Sequence, residues 1–371
     1  MRVIYAGGGT GGHINPAISI ADYAKNHDSN HKALFIGTKS GLETRLVPKA
    51  GYDIKYIDVI GFDRRHPLKA FKTVKKLIKS RQDCKKIIRE FKPDCVVCTG
   101  GYVSGPVMMA AAKCGVPSII HEQNVYPGLT VKGSEKYASY LALSFDETIK
   151  HMGNKDKCVV TGNPVRMEII NAKSDTARKK LGITKPLVLI FGGSLGAQKI
   201  NSTVIKMLKS VIKDGRFSLI FGTGERNYKA VTDQIKREGI ILNDDIKVLP
   251  YIDNIADVMA AADIVVSRSG AITVSEIAVL KKPSILIPSP NVVRNHQEQN
   301  AREFEKNGAA AVITEAELDE KVLYDKICSM LSDKEKLLKM SENLGAFSKT
   351  DALEKIYGLM LNMVKSKGKT Q

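Results

Sequence analysis

The residues best suited to chemistry stand in short glycine-rich or polar stretches that follow apolar runs. In residues 263–276, Ile264, Val265 and Val266 form a β-branched run, Ser267 to Gly270 turn the chain, and a helical pattern begins near Ala271. A helix opening there offers unpaired first-turn amides and the positive end of its dipole, so a phosphate can sit against Ser269, Gly270 and Ala271. Glu276, further into that helix, can accept hydrogen bonds from a ribose diol. The stretch reads equally as a nucleotide-diphosphate seat or as a helix cap followed by a solvated glutamate.

Three more turns share this logic. GGGTGGH ends in His13, where the first helix begins; the helix dipole favours a neutral imidazole there, able to act as a general base or to cap the loop. Gly7, Gly9 and Gly12 match G-x-G-x-x-G, but the second strand ends in Ile36, Gly37 and Thr38 without the carboxylate a dinucleotide needs, which disfavours an NAD-dependent oxidoreductase. GGYVSGP and GGSLGA repeat the pattern, with Ser194 able to give its hydroxyl to a phosphate and Gly196 letting a helix start close by. HEQN (residues 121–124) ends an apolar strand, and NHQEQNA opens a helix on amides, of which Gln297 can meet sugar hydroxyls. A tight βα connection would account for any one of these glycine turns alone, and accounts less well for three of them facing one cleft.

The elements that must carry these turns alternate. Strand patterns at 2–6, 33–37, 54–59, 95–99, 118–121, 140–145 and 158–161 are separated by helical ones, including Pro16 to His27. The polar stretch GNPVR and its sequel break the rhythm. It restarts with strands at 187–191, 218–221, 246–249, 264–266, 284–287 and 311–314 and a helix from Lys199 to Ile212. The expectation is an α/β protein of two doubly wound, Rossmann-like parallel-sheet domains, residues 1–163 and 164–345, with a helix near 346–366 crossing back onto the first.

Composition narrows the class. Hydrophobic content of 43% and charged content of 26% are those of a water-soluble chain, and no run reaches the ~18 apolar residues of a membrane span. No secretory signal is legible, so the expected compartment is the cytosol. Cys95 and Cys98 lie within the apolar run CVVC and read as buried thiols; no zinc spacing or Asp-x-Asp occurs, so no metal or cofactor is expected. The net charge is +18, and residues 60–92 hold twelve Lys and Arg against three acidic residues. Leu68, Phe71, Val74, Ile78, Ile87 and Phe91 recur there at roughly helical spacing. The apolar stripe reads as core packing and the charge excess as attraction to an anionic membrane surface. A nucleic-acid-binding role would also use the charge, but the chain has no tryptophan, 6% aromatics and no recognised motif for it.

GGGTGGH, GGYVSGP, HEQN, GNPVR, GGSLGA, SRSGAITVSE and NHQEQNA, together and in this order, make residues 1 to about 360 resemble the peptidoglycan N-acetylglucosaminyltransferases that convert lipid I to lipid II. The resemblance implies a GT-B architecture, a UDP-N-acetylglucosamine (UDP-GlcNAc) donor, a lipid I acceptor, peripheral attachment to the cytoplasmic face of the plasma membrane, and possible contact with other cell-wall synthesis proteins. It implies donor-site roles for Thr10, Gly11, Gly12, Asn124, Arg166, Ser194, Ile252, the run Ala271, Ile272, Thr273, Val274, Ser275 and Glu276, and Gln297. His13 is the candidate base, and inversion at the sugar's C1 follows from the family's α-linked donor and β-linked product. Leu195 and His296 depart from glutamines found in some relatives. The runner-up is another UDP-sugar enzyme of the same architecture, such as a diacylglycerol glycosyltransferase or an epimerase.

Overall fold

The β-branched runs form strands buried on both faces, which parallel sheets require. The computed structural model describes residues 1–59, 70–193 and 196–368, and the chain forms two units, Met1–Val165 with Lys349–Gln371, and Arg166–Ser348. In the first, β1 (Arg2–Ala6), α1 (Gly11–His27), β2 (Lys32–Gly37), α2 (Glu43–Lys49), β3 (Asp53–Tyr56), α3 (Ala70–Phe91), β4 (Cys95–Cys98), α4 (Ser104–Lys113), β5 (Ser118–Glu122), α5 (Leu129–Ser134), β6 (Tyr140–Leu143) and β7 (Cys158–Val160) alternate. Every pairing is parallel, in the order β3-β2-β1-β4-β5-β6-β7. The strand order reverses between β1 and β4, and ligands of open α/β sheets bind at the strand carboxyl ends beside such a point.

Among the differences from the sequence reading are one helix start and one buried face. Helix α1 starts at Gly11 rather than near Pro16, because the Thr10 carbonyl accepts from the His13 and Ile14 amides at 3.1 and 3.2 Å and closes a turn before the proline. Among the described side chains of α3, which leave out those of residues 70–75 and so Phe71 and Val74 of the expected stripe, the fully buried ones are Ser80, Cys84 and Ile88, spaced four apart, whereas Ile78 is 47% exposed. The stripe therefore runs on a neighbouring face, with Ile87 and Phe91 packed at its edge. Residues 60–69, which hold Arg64, Arg65, Leu68 and Lys69 of the basic segment, lie outside the described residues.

The second unit repeats the plan with α6 (Met167–Ile170), α7 (Ser174–Leu181), β8 (Leu187–Phe191), α8 (Gln198–Asp214), β9 (Ser218–Gly222), α9 (Glu225–Arg237), β10 (Ile246–Leu249), α10 (Ile255–Ala261), β11 (Ile264–Ser267), α11 (Ala271–Val279), β12 (Ser284–Leu286), α12 (His296–Lys306), β13 (Ala311–Val312), α13 (Glu320–Ser332) and α14 (Lys334–Asn343). Its parallel sheet has the order β10-β9-β8-β11-β12-β13, with the reversal between β8 and β11. The chain then returns to the first unit as α15 (Ala352–Gly368), whose Ile356 and Met360 are fully buried with Ile14 and Ile20 of α1 over Val3 and Tyr5 of β1. Ile4 and Ala6 of β1 face the opposite layer with Val107 of α4 and Ile88 of α3. Strand alternation thus gives the sheet a core on each side.

Candidate functional site

In the first unit, Thr10, Gly11, Gly12 and His13 lie where β1 hands over to α1. The turn after β4 brings the Thr99 carbonyl to 2.9 Å from His13 Nδ1, and the end of β5 brings Gln123 Oε1 to 3.2 Å from the same nitrogen. The Thr99 hydroxyl donates to the His13 carbonyl at 2.6 Å, anchoring the backbone as well as the ring. Gly100, at φ +96°, packs directly on the imidazole: a Cβ there would stand 2.8 Å from Nδ1. Asn124 follows β5, and its amide and Nδ2 donate to Glu122 Oε1 at 2.9 and 3.0 Å while Gly128 N donates to Oε2 at 2.7 Å. Burial pushes the Glu122 carboxyl up, and these donors oppose that. The buried glutamate shapes the turn that presents Asn124.

A second buried carboxylate organises the glycine loop. Glu43 is fully buried; its Oε1 accepts from the Thr38 amide and hydroxyl at 2.9 and 2.8 Å, and its Oε2 from the Gly9 amide at 3.1 Å. A carboxylate therefore does stand at the end of β2, supplied from α2, but its oxygens are spent on protein donors rather than turned to a ribose.

In the second unit, the turn between β11 and α11 carries Ser269, Gly270 and Ala271. The fully buried Ser269 hydroxyl donates to the Gln297 carbonyl at 2.7 Å, and Asn300 Nδ2 donates to the Ser269 carbonyl at 3.2 Å, which ties α12 to this turn. Gln297 Oε1 accepts from the Ser289 amide at 2.9 Å, so its Nε2 is the end of the amide left to donate elsewhere. Arg268 donates to the Ile287 and Pro288 carbonyls, each at 3.1 Å, and pairs with Glu315, holding the carboxyl end of β12 in place.

Arg166 Nη2 lies 3.2 Å from Glu276 Oε1. Burial pushes the Glu276 carboxyl up, and the Arg166 guanidinium acts against it. On α11, Ile272 and Thr273 are half-buried, Ala271, Ser275 and Glu276 are each 8% exposed, and Val274 is fully buried with its amide bonded to the Gly270 carbonyl at 3.0 Å. Val274 is thus the fully buried member of the run. Ile252 is buried, its Cδ1 2.9 Å from where a Cβ on Gly222 would stand, so the glycine ending β9 makes room for it. Gly196, at φ +73°, has the Thr223 carbonyl 2.1 Å from its would-be Cβ, a position only glycine can fill. Ser194 lies outside the described residues.

The structure therefore gathers Thr10, Gly11, Gly12, His13 and Asn124 in one unit, and Arg166, Ile252, Ala271 to Glu276 and Gln297 in the other. Glu43, Glu122, Gln123, Thr99 and Arg268 support them and carry no signal of their own spacing; HEQN was the one motif that contained two of them.

Residues 3–143 match the glycosyltransferase family 28 N-terminal domain and residues 187–356 the glycosyltransferase family 28 C-terminal domain. Fold and matches define the class, a two-domain glycosyltransferase. The chain is 47% identical over 369 residues, 99% of each chain, to the UDP-N-acetylglucosamine–N-acetylmuramyl-(pentapeptide) pyrophosphoryl-undecaprenol N-acetylglucosamine transferase of Acetivibrio thermocellus. It is 43% identical over 366 residues, 98% of each chain, to the enzyme of that name from Oenococcus oeni. The crystal structure of Acinetobacter baumannii MurG superposes with a TM-score of 0.76 at 26% identity, over 97% of this chain and 99% of that one. The chain belongs to the MurG family.

Proposed function

We infer that the protein transfers N-acetylglucosamine from UDP-GlcNAc to the C4 hydroxyl of the N-acetylmuramic acid of lipid I, giving lipid II for peptidoglycan synthesis. The observation that carries this is 47% identity along the whole chain to an enzyme named for that reaction. The support from the residues is chemical. His13 is the base that takes the acceptor hydroxyl's proton as that oxygen attacks C1 in a single inverting displacement. UDP leaves as an anion, and Arg166, the GGSLGA turn and the start of α11 stabilise its charge, at ~3 kcal/mol per well-placed donor. Glu276 holds the ribose and Gln297 the sugar, while Thr10, Gly11, Gly12, Asn124, Ser194 and Ile252 complete the donor contacts.

Lipid I is anchored in a membrane and carries a pyrophosphate, so the enzyme must reach an anionic surface. Among the described residues no helix is long and apolar enough to cross a membrane. The excess of Lys and Arg in residues 60–92 supports peripheral attachment to the cytoplasmic face of the plasma membrane, and other cell-wall synthesis proteins are the further partners to seek there. The test is donor-dependent transfer to a short-chain lipid I analogue, with UDP-glucose and a diacylglycerol acceptor alongside. Transfer with the first pair alone is expected; donor binding without transfer to that analogue would move the acceptor assignment to another lipid.

A further inference from the structure

A neutral imidazole acts as a base only through the nitrogen that lacks the proton, so the tautomer of His13 decides what that residue can do. Two groups that face Nδ1 are acceptors, the Thr99 carbonyl at 2.9 Å and Gln123 Oε1 at 3.2 Å. The amide of Gln123 is fixed in that orientation, because its Nε2 donates to the Thr99 carbonyl at 2.7 Å and to His121 Nδ1 at 3.1 Å. Turned over, it would set oxygen against oxygen at Thr99 and against the lone pair of His121. His121 is itself fixed: it is fully buried, its Nε2 donates to the Gly162 carbonyl at 3.0 Å, and burial lowers its pKa to about 4, so the ring is neutral with Nδ1 as acceptor. Asn163 Nδ2 donates to the Gln123 carbonyl at 3.0 Å and holds the backbone. Every proton in this chain of contacts has one consistent place.

We propose that His121 and Gln123 are positioning residues which, with the Thr99 carbonyl, keep the proton of His13 on Nδ1 and its lone pair on Nε2, the nitrogen that receives the acceptor's proton. This rests on the reading of His13 as the base. The order runs outward from the Gly162 carbonyl through His121 and Gln123 to His13, so the first residue of GNPVR, just after β7, bears on the state of a ring just after β1, with β6, β5 and β4 between them in the sheet.

The experiment is nitrogen-15 NMR of the full chain with labelled histidine, His13 being assigned by its loss in His13→Gln. At neutral pH the wild type is expected to show a protonated Nδ1 and an unprotonated Nε2 on His13. In Gln123→Met, similar in size but unable to accept, the Nε2-protonated population rises and kcat falls by about ten- to a hundredfold, the scale of a small misplacement, while KM for UDP-GlcNAc stays within about twofold. A wild-type His13 carrying its proton on Nε2, or a Gln123→Met enzyme with tautomer and kcat both unchanged, overturns the proposal. Should that variant fail to fold, the wild-type tautomer decides alone. If Nδ1 is protonated yet His13→Ala keeps normal turnover, the tautomer assignment stands and the base reading is what fails.

Discussion

Arg166 and Glu276 pair with each other at 3.2 Å, a guanidinium just past the first unit and a carboxylate one turn into α11. Both are proposed donor contacts, so the pair keeps each charge compensated until the nucleotide arrives. Glu276→Gln keeps the shape and removes the charge-assisted acceptor, which is worth about 1.5–3 kcal/mol; KM for UDP-GlcNAc should rise by roughly one to two orders of magnitude. A titration of donor binding by calorimetry checks it, and unaltered affinity would remove Glu276 from the donor site.

The same pair has a pH signature. Burial raises the folded-state pKa of Glu276, so this group favours the fold at low pH and the benefit is lost as pH rises through that pKa. Arg166 opposes the loss by favouring the ionised form. Arg166→Met should therefore cost more stability at pH 8 than at pH 4, read from denaturant midpoints at the two values; an equal cost at both would show that the pair is not coupled.

Removing Glu43 should cost stability first and, through the glycine loop it holds, activity. Glu43→Ala strands the buried amide and hydroxyl of Thr38 and the Gly9 amide, and leaving such donors unsatisfied costs about 1–3 kcal/mol apiece. Stability should fall by at least about 2 kcal/mol by urea unfolding, and the loosened glycine loop should cost activity as well.

Glu43 also shows where the sequence stops being legible. Both sheets could be read from it, because runs such as LVLIF and IVVS are too short and too β-branched for helices. The glycine turns could be placed because glycine before a helix has few other uses. What could not be read is anything that depends on which strand lies beside which. Glu43 reaches Gly9 only because β2 pairs with β1, and Gln123 reaches His13 only because β4 and β5 follow β1 across the sheet. The exposure of Ile78 has a related cause: helical spacing allows two adjacent buried faces, and packing of α3 on α4 selects the one bearing Cys84 and Ile88.

The exposed Ile78 now belongs with the basic surface around it. Lys79, Lys86 and Arg89 of α3 are exposed as well, and each cation near an anionic leaflet contributes about 1 kcal/mol. Reversing all three to glutamate should weaken binding to phosphatidylglycerol vesicles by at least about tenfold, and Ile78→Ser should weaken it further with little dependence on salt. Transfer to a soluble acceptor analogue should survive both changes. Vesicle binding that ignores the reversals would place the membrane contact elsewhere.

His121 makes the last prediction, on acid stability. Its folded-state pKa is lowered to about 4 from an ordinary value of 6.5, chiefly by burial. The unfolded chain therefore takes up a proton below about pH 6.5 that the folded chain refuses, and stability falls as pH drops from there towards 4. A shift of that size corresponds to roughly 3 kcal/mol at the acid end. His121→Gln keeps a polar side chain but cannot titrate, so it should lower stability at pH 7.5, where hydrogen bonds are lost, and flatten the decline between pH 6.5 and 4. Denaturant midpoints across that range would show the two curves converging as the pH falls. Parallel curves would mean that another group sets the acid limb.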